Sequence, residues 1–413
     1  MLTKMKCTKW ILASLVCLSS ALGVAAPGDL DTTFGGGDGW VRTPFASIPF
    51  ADTAYSVIQQ ADGKLVAVGG SNYGVTDGAT GAGSNISNYD FALARYNGDG
   101  SLDTTFNGTG KLTTDIGAGY DVAHSVVQQT DGKLVVVGGS DDGTGYSDFG
   151  VVRYNSNGSL DTTFNGTGKV TADFMESVVN DSAVAYSVIQ QVDGKLVVAG
   201  RIVTGDVSWI ALVRYNSNGS LDTTFNGTGK QVTNGVGAYS MIQQADGKLV
   251  VAGYGYNGSN NDFALVRYNA DGSLDTTFDG DGKLTTAIGN GDDVGFSVIQ
   301  QADGKLVVAG SSNGSNEDFA LVRYNSDGSL DTSFDGDGKL TTPIGTGADR
   351  AQSVIQQANG KLVAAGLSYD GSVSFNYDFA LVRYNADGSL DTTFSGDGKL
   401  TPEFGAGHDN AQS

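Results

Sequence analysis

The chain has 413 residues, and its 45 acidic and 24 basic side chains give a net charge of −21, which excludes nucleic acid and anionic membrane surfaces as partners. Its two cysteines, Cys7 and Cys17, both lie among the first 25 residues, so the rest of the chain has no disulfide and is held by its core alone. Sixty-two glycines would mean disorder if scattered, but they recur at fixed places between β-rich runs and read as turn glycines.

In chain order, Lys4, Lys6 and Lys9 come first, an apolar run from Trp10 to Leu22 follows, and Gly23-Val24-Ala25-Ala26 supplies small residues. This is the pattern of an export signal over residues 1–25, cut after Ala25. The run is too short to span a bilayer and none of comparable length follows, so no transmembrane segment is expected. Its removal leaves 21 basic against 45 acidic side chains, a charge of −24. The expected address is exported: periplasm, cell surface or extracellular medium of a bacterium.

Beyond the signal one unit recurs, written most plainly over residues 294–342. Its core, Gln-Gln-x-(Asp/Asn)-Gly-Lys-Leu, stands six times, beginning at Gln59, Gln128, Gln190, Gln243, Gln300 and Gln356. A companion, Leu-Asp-Thr-(Thr/Ser)-Phe, stands seven times, ending at Phe34, Phe106, Phe164, Phe225, Phe278, Phe334 and Phe394. Spacings of 53 to 72 residues mean repeated supersecondary units.

Each unit predicts four short strands, lettered a to d. In the fifth unit they fall at 297–301, 305–310, 318–325 and 339–342, with Ala-Asp-Gly as the a–b hairpin turn. Strand c sets Phe319, Leu321 and Arg323 on one face and Ala320, Val322 and Tyr324 on the other. No helical period of useful length appears after the signal. Four antiparallel strands repeated six times predict an all-β protein, a β-propeller, since a blade apolar on both faces is buried only between neighbouring blades. A β-solenoid is the competitor, but its coils are usually shorter and lack such hairpins.

The propeller domain is expected over 26–413, with six full four-stranded blades at about 54–116, 122–174, 183–234, 237–288, 294–344 and 350–404. Residues 30–45 carry only the companion motif and one orphan outer strand, expected to close the ring against the C-terminal part of the chain. Asp409-Asn410-Ala411-Gln412-Ser413 matches Asp349-Arg350-Ala351-Gln352-Ser353, so an incomplete seventh repeat begins there. A truncated array of at least seven blades is expected, with a six-bladed ring and one spare outer strand as the alternative.

Three stretches resemble a known family: Gln-x-(Asp/Asn)-Gly-Lys-Leu-Val, Asp-Phe-Ala-Leu-x-Arg-Tyr-Asn with Gly-Ser-Leu-Asp, and Phe-(Asn/Asp)-Gly-x-Gly-Lys. The combination is similar to the bacterial delta-60 repeat proteins, a β-propeller domain of unknown function, over nearly all of 27–413. That resemblance implies fold and secretion and carries no catalytic residues. The blade also resembles a longer NHL-type blade, which implies that strand a is innermost.

The a–b and c–d turns are nearly invariant among the repeats, while the b–c loops (71–89, 140–147, 201–209, 367–377) and the d–a connections vary. Antiparallel order places both varied sets on one face, the expected functional surface. No catalytic set is singled out: the only histidines are His124 and His408, and His124 fills a repeat slot held elsewhere by Tyr55, Tyr186, Tyr239, Phe296 and Gln352. Tyr55, Tyr186, Tyr239 and Phe296 are the candidate ligand-binding residues, at the mouth of a central channel, with edge packing between inner strands as the plainer reading.

Asp52, Asp121, Asp293 and Asp349, three residues before that slot, are candidate metal ligands. They would form an acidic arc able to hold calcium, with no other cofactor expected, or else simply cap the turn into strand a. The run Asn269–Asp275 has the look of a calcium loop, although its residues are also ordinary turn formers. The strand-c arginines recur in every repeat and are expected to serve the blade. The expected function is a monomeric, non-catalytic binding or scaffold module for a glycan, protein or surface component. The alternative is a hydrolase or lyase using channel carboxylates.

Overall fold

Turn chemistry sets the blade. At the a–b hairpin of blade 1, Asp62 accepts a hydrogen bond from Lys64 N at 3.1 Å and Gly63 takes φ +87°, a left-handed value open to glycine. The flanking runs therefore fold back on each other as Asp52–Gln59 and Leu65–Asn72, and Tyr89–Tyr96 and Lys111–Thr114 complete the sheet. The computed structural model describes residues 30–45, 52–72, 89–174, 181–205, 207–369 and 377–402. The signal at 1–25 and the partial repeat at 409–413 lie outside these. Among the described residues there are six such antiparallel sheets, each in the order a-b-c-d, and a three-residue 3-10 turn at Gly35–Gly37. The protein is an all-β, six-bladed propeller. No helix of the described residues is long and apolar enough to cross a membrane.

Burial explains the stacking. One face of blade 5 (Val307, Phe319, Leu321, Phe334) meets the opposite face of blade 6 (Ala351, Val354, Leu362, Val382, Tyr384) in one apolar cluster. Four more clusters of the same make-up join blades 1 to 2, 2 to 3, 3 to 4 and 4 to 5. Each junction is also pinned by a hydroxyl pair: Tyr154 donates to Thr114 at 2.7 Å, Tyr268 to Thr233 at 2.7 Å, and Tyr324 to Thr286 and Tyr384 to Thr342 at 2.9 Å. Blade 3 is the exception, because Ala172 stands where the threonine belongs and the buried Tyr215 hydroxyl has no partner.

The two end blades differ from the inner four. Leu65 and Ala67 of blade 1 are half-buried where Leu134 and Val136 of blade 2 are fully buried. Val363, Phe379 and Leu381 of blade 6 are half-buried where Val307, Phe319 and Leu321 are fully buried. Among the described residues, five apolar clusters serve six blades, and none joins blade 6 to blade 1.

The orphan strand expected at 30–45 takes another form. Its run 40–44 is a strand of none of the six sheets, and blade 6 has its own outer strand, Lys399–Leu400, already paired to strand c. The segment instead lies on blade 1: Gly35 N donates to Asp99 O at 3.0 Å, Tyr96 to Thr43 Oγ1 at 2.7 Å, and Lys111 Nζ to Pro44 O at 2.5 Å. The amide contact recurs at all five blade junctions, and the tyrosine and lysine contacts at four of the five each.

Strand a begins earlier than expected, at Asp293 rather than 297 in blade 5. A bulge within it breaks the alternation that the pattern relies on. In blade 3 the expected loop 201–209 is largely sheet, with strand b running Leu196–Thr204 and strand c from Val207. Ile202 and Ile210 are fully buried, and β-branched residues there prolong the pairing.

Two expectations follow for stability. Ala172→Thr should supply the missing acceptor for Tyr215 and raise stability by roughly 1 kcal/mol in denaturant unfolding. Leu321→Ala, in a fully stacked face, should destabilise by about 3 kcal/mol. Leu381→Ala at the equivalent place in blade 6 should lower stability by less than half as much; equal losses would mean that blade 6 is covered like its neighbours.

Candidate functional site

Every strand a bulges at one place. In blade 1 Ala54 pairs with Gly69 and Ser56 with Val68, leaving Tyr55 without a cross-strand partner. The same break leaves out His124, Tyr186, Tyr239, Phe296 and Gln352. A bulge re-aims the extra side chain. It also brings backbone close to strand b: a Cβ on Gly69 would stand 1.8 Å from Thr53 O, and 1.7–2.0 Å separates the counterparts at Gly138, Gly200, Gly253, Gly310 and Gly366. The glycine ending each Lys-Leu-Val-x-x-Gly run is thus the partner of the bulge and not a turn residue.

Strands a of successive blades pack against one another around the inside of the propeller. The serine after the slot ties them, with Met241 N donating to Ser187, Val298 N to Ser240 and Val354 N to Ser297, each at 3.2 Å. The slot side chains then meet in a row. Ring centroids lie 4.7 Å apart from Tyr55 to His124, 4.8 Å on to Tyr186, 5.0 Å to Tyr239 and 5.1 Å to Phe296. The structure therefore gathers all four candidate aromatics, with His124 among them, and leaves each half-buried. The rings pack on one another and keep an open edge. Burial lowers the His124 imidazole to about 4 and pushes the Tyr239 phenol up to about 12, so the row is uncharged at neutral pH.

A cation interrupts this pattern between blades 3 and 4. Arg201 follows the bulge glycine Gly200, a slot that holds Gly70, Gly139, Tyr254, Ser311 and Leu367 in the other blades. Its Nη1 donates to the Tyr239 hydroxyl at 3.2 Å and the Tyr254 hydroxyl at 3.0 Å, and Ser208 Oγ lies 2.8 Å from the latter. Its guanidinium stands 5.7 Å from the centre of the Tyr239 ring. Sequence reasoning placed Arg201 in a loop; its signal was a charged residue in a slot that the other repeats leave neutral.

The b–c and d–a loops share one face, as their contacts show: Asn261 N donates to Asp292 Oδ1 at 2.8 Å, Asn316 Nδ2 to Gly347 O at 2.7 Å, and Gly119 N to Asp141 O at 2.9 Å. Among the described residues the exposed tyrosines are Tyr120, Tyr146 and Tyr256, at 46%, 41% and 64%; the first two lie on these loops and Tyr256 ends the strand that leads into one. Tyr120 also packs on Tyr89 at 4.6 Å.

Asp121, Asp293 and Asp349 are fully buried, each accepting the backbone N–H groups of the loop just before it: Ile116 and Gly117, Ile288 and Gly289, Ile344 and Gly345. Asp52, which is exposed, accepts from Phe45 N at 2.9 Å and Ser71 Oγ at 2.7 Å. The structure thus holds these four candidate metal ligands in separate blades as turn staples. One carboxylate group does converge: Asp90, Asp115 and Asp121 place oxygens within 4.8 Å of one another at the junction of blades 1 and 2. Burial, with the charges of Asp115 and Asp121, pushes Asp90 up to about 6; Asp148 is raised likewise to about 6 by burial, Asp173 and Asp181. These groups sit at the start of strand c, two strands outward from the ring-bearing strand a.

The repeated polar residues serve the scaffold. Arg95 Nε donates to Asp103 Oδ2 at 2.7 Å, lies over Phe106 at 4.6 Å and reaches Ser156 O of the next blade at 2.5 Å. Burial opposes the ionised form of Asp103, but hydrogen bonds from Lys64 and Thr105 and the charge of Arg95 hold it far below the ordinary carboxylate range. The calcium-like run closes on itself, with Ser273 N and Oγ donating to Asp271 at 2.9 and 2.6 Å and Asn269 Nδ2 to Ser273 at 3.0 Å.

The raised Asp90 gives a signed expectation. Folding prefers its protonated form, so its stability contribution is lost as pH rises from about 4 through 6. Asp90→Asn should raise stability by about 1 kcal/mol at pH 7.5, after allowance for solvent screening, and by nothing near pH 4. Thermal unfolding across that range checks it. A variant less stable than the parent at pH 7.5 in calcium, but not in chelator, would instead mark a cation held by this group.

Comparison with solved structures finds distant likenesses. A PL25 ulvan lyase bound to -[GlcA(1-4)Rha3S]- is 11% identical, with 87% of this chain and 82% of that one covered, at a TM-score of 0.46. A protein of unknown function from Dyadobacter fermentans is 12% identical, with 77% and 92% covered, at 0.49. An α-L-arabinofuranosidase from Clostridium thermocellum is 12% identical, with 70% and 94% covered, at 0.37. Likenesses this remote carry no argument about chemistry. Among curated proteins nothing matches. A family model described as "Domain of unknown function (DUF5122) beta-propeller" matches 60–106, 129–164, 191–225, 244–278, 301–334 and 357–394, one stretch in each blade and together more than half of the chain. The chain belongs to the DUF5122 β-propeller family.

Proposed function

We propose that this protein is an exported, non-catalytic binding module that holds a glycan on the face carrying its b–c and d–a loops. The observation that carries this reading is the placement of Tyr120, Tyr146 and Tyr256, exposed on that face beside a half-open row of rings. A tyrosine offers a rigid ring for a sugar face and a hydroxyl for its edge, at small entropic cost on ordering. The opposite face, built of nearly identical turns closed on their own hydrogen bonds, serves the scaffold.

A second reading, a lyase or hydrolase, draws on Asp90 and Asp148, whose raised carboxyls suit proton transfer near neutral pH. Their place on strand c, two strands outward from the rings of strand a, favours binding without turnover. A panel of immobilised polysaccharides probed with the full chain tests the first reading. Tyr256→Ala should weaken retention roughly tenfold, and Val192→Ala on the opposite face should leave it unchanged. Release of new reducing ends from a bound polysaccharide, abolished by Asp90→Asn, would replace binding with catalysis.

A further inference from the structure

Apart from Arg42, which is exposed on the N-terminal segment, the other arginines of the described residues are neutralised. The strand-c arginines each meet an aspartate at 2.6–2.7 Å, and Arg350, on the same face as Arg201, meets Glu317 at 2.7 Å. Arg201 meets no carboxylate among the described residues. Its neighbours are the phenols of Tyr186, Tyr239 and Tyr254, in a chain whose overall charge is −21. Three phenol oxygens face five N–H donors, so the guanidinium keeps donors to spare. It is half-buried, as are the three tyrosines and Ser208, so a ligand reaches it from solvent. A partly desolvated cation without a counter-charge gains most from an anion brought to it.

We propose that Arg201, with Tyr186, Tyr239, Tyr254 and Ser208, forms an anion-recognition site at the channel mouth that takes the carboxylate or sulfate group of an acidic saccharide. The inference rests on the glycan-binding reading of this face. The guanidinium holds the anionic group, and the Ser208 and tyrosine hydroxyls add hydrogen bonds beside it. The edge of the ring row, from Tyr186 through Tyr239 to Phe296, offers the attached sugar an apolar wall. Tyr256, two residues beyond Tyr254 at the end of the same strand, stands exposed above the site to meet the next sugar of a chain. The acidity of the remaining surface repels polyanions at large, so a bound acidic glycan depends on this one position.

Calorimetric titration of the full chain decides it. The ligands are a uronic-acid oligosaccharide, a sulfated oligosaccharide, a neutral oligosaccharide of the same length, and inorganic sulfate. One or both acidic saccharides should bind more tightly than the neutral one, which separates carboxylate from sulfate as the group recognised. Arg201→Ala should weaken acidic binding roughly 10- to 100-fold, far more than it weakens neutral binding. Arg201→Lys, which keeps the charge and loses the fork, should fall between, and its unfolding temperature guards against a variant that merely misfolds. Acidic binding unaffected by Arg201→Ala in a folded protein overturns the proposal. So does inorganic sulfate bound as tightly as the sulfated saccharide, since the sugar then contributes nothing. Neutral and acidic saccharides bound alike would end this proposal and leave the glycan reading standing. Silence with every saccharide would end both.

Discussion

Everything in this protein depends on the burial of flat, apolar blade faces against one another. Both faces of a sheet such as Leu306–Asn313 with Glu317–Tyr324 are apolar, so no blade is stable alone and each is completed by its neighbours. The described residues, which include no cysteine, can stand on this because contacts repeat: aromatic against aliphatic in the middle, a Tyr–Thr hydroxyl pair near the rim, and amide-to-serine bonds on the inside. The polar repeat residues obey the same demand. Arg95 closes the outer turn through Asp103 and crosses to the next blade through Ser156, so the ion pair bridges what the apolar core stacks.

Most of this was legible from the residues. The split of Phe319 and Leu321 from Ala320 and Val322 anticipated which residues enter which of two clusters, and the strand at 339–342 fell where expected. What was illegible was non-local or out of phase. Strand a looked short because Phe296 breaks the two-residue alternation that pattern reading depends on. The pairing of Arg95 with Asp103, eight residues on, needs the folded turn to bring them together. Residues 30–45 had the right motif, but no pattern within them tells which blade they rest on.

The candidate site divides along the same line. The aromatic slot was visible as a repeating position, and its tyrosines do converge. The aspartates three residues earlier were visible too, and Asp121, Asp293 and Asp349 each staple the loop just before them through its amides, while Asp121 also meets Asp90 and Asp115 of the neighbouring blade. Arg201 stood out least, since a single departure from a repeat looks like drift until its neighbours are known.

The bulge in strand a has an evolutionary meaning. A residue with no cross-strand partner can be exchanged without disturbing the ladder on either side, and here one address holds tyrosine, histidine, phenylalanine and glutamine in a single chain. The glycine opposite takes up the whole geometric demand, so it is the glycine that cannot vary. Mutation is thereby channelled: the wall stays constant while its inner lining is free to change one blade at a time. A single architecture can in this way present different linings to different molecules without refolding.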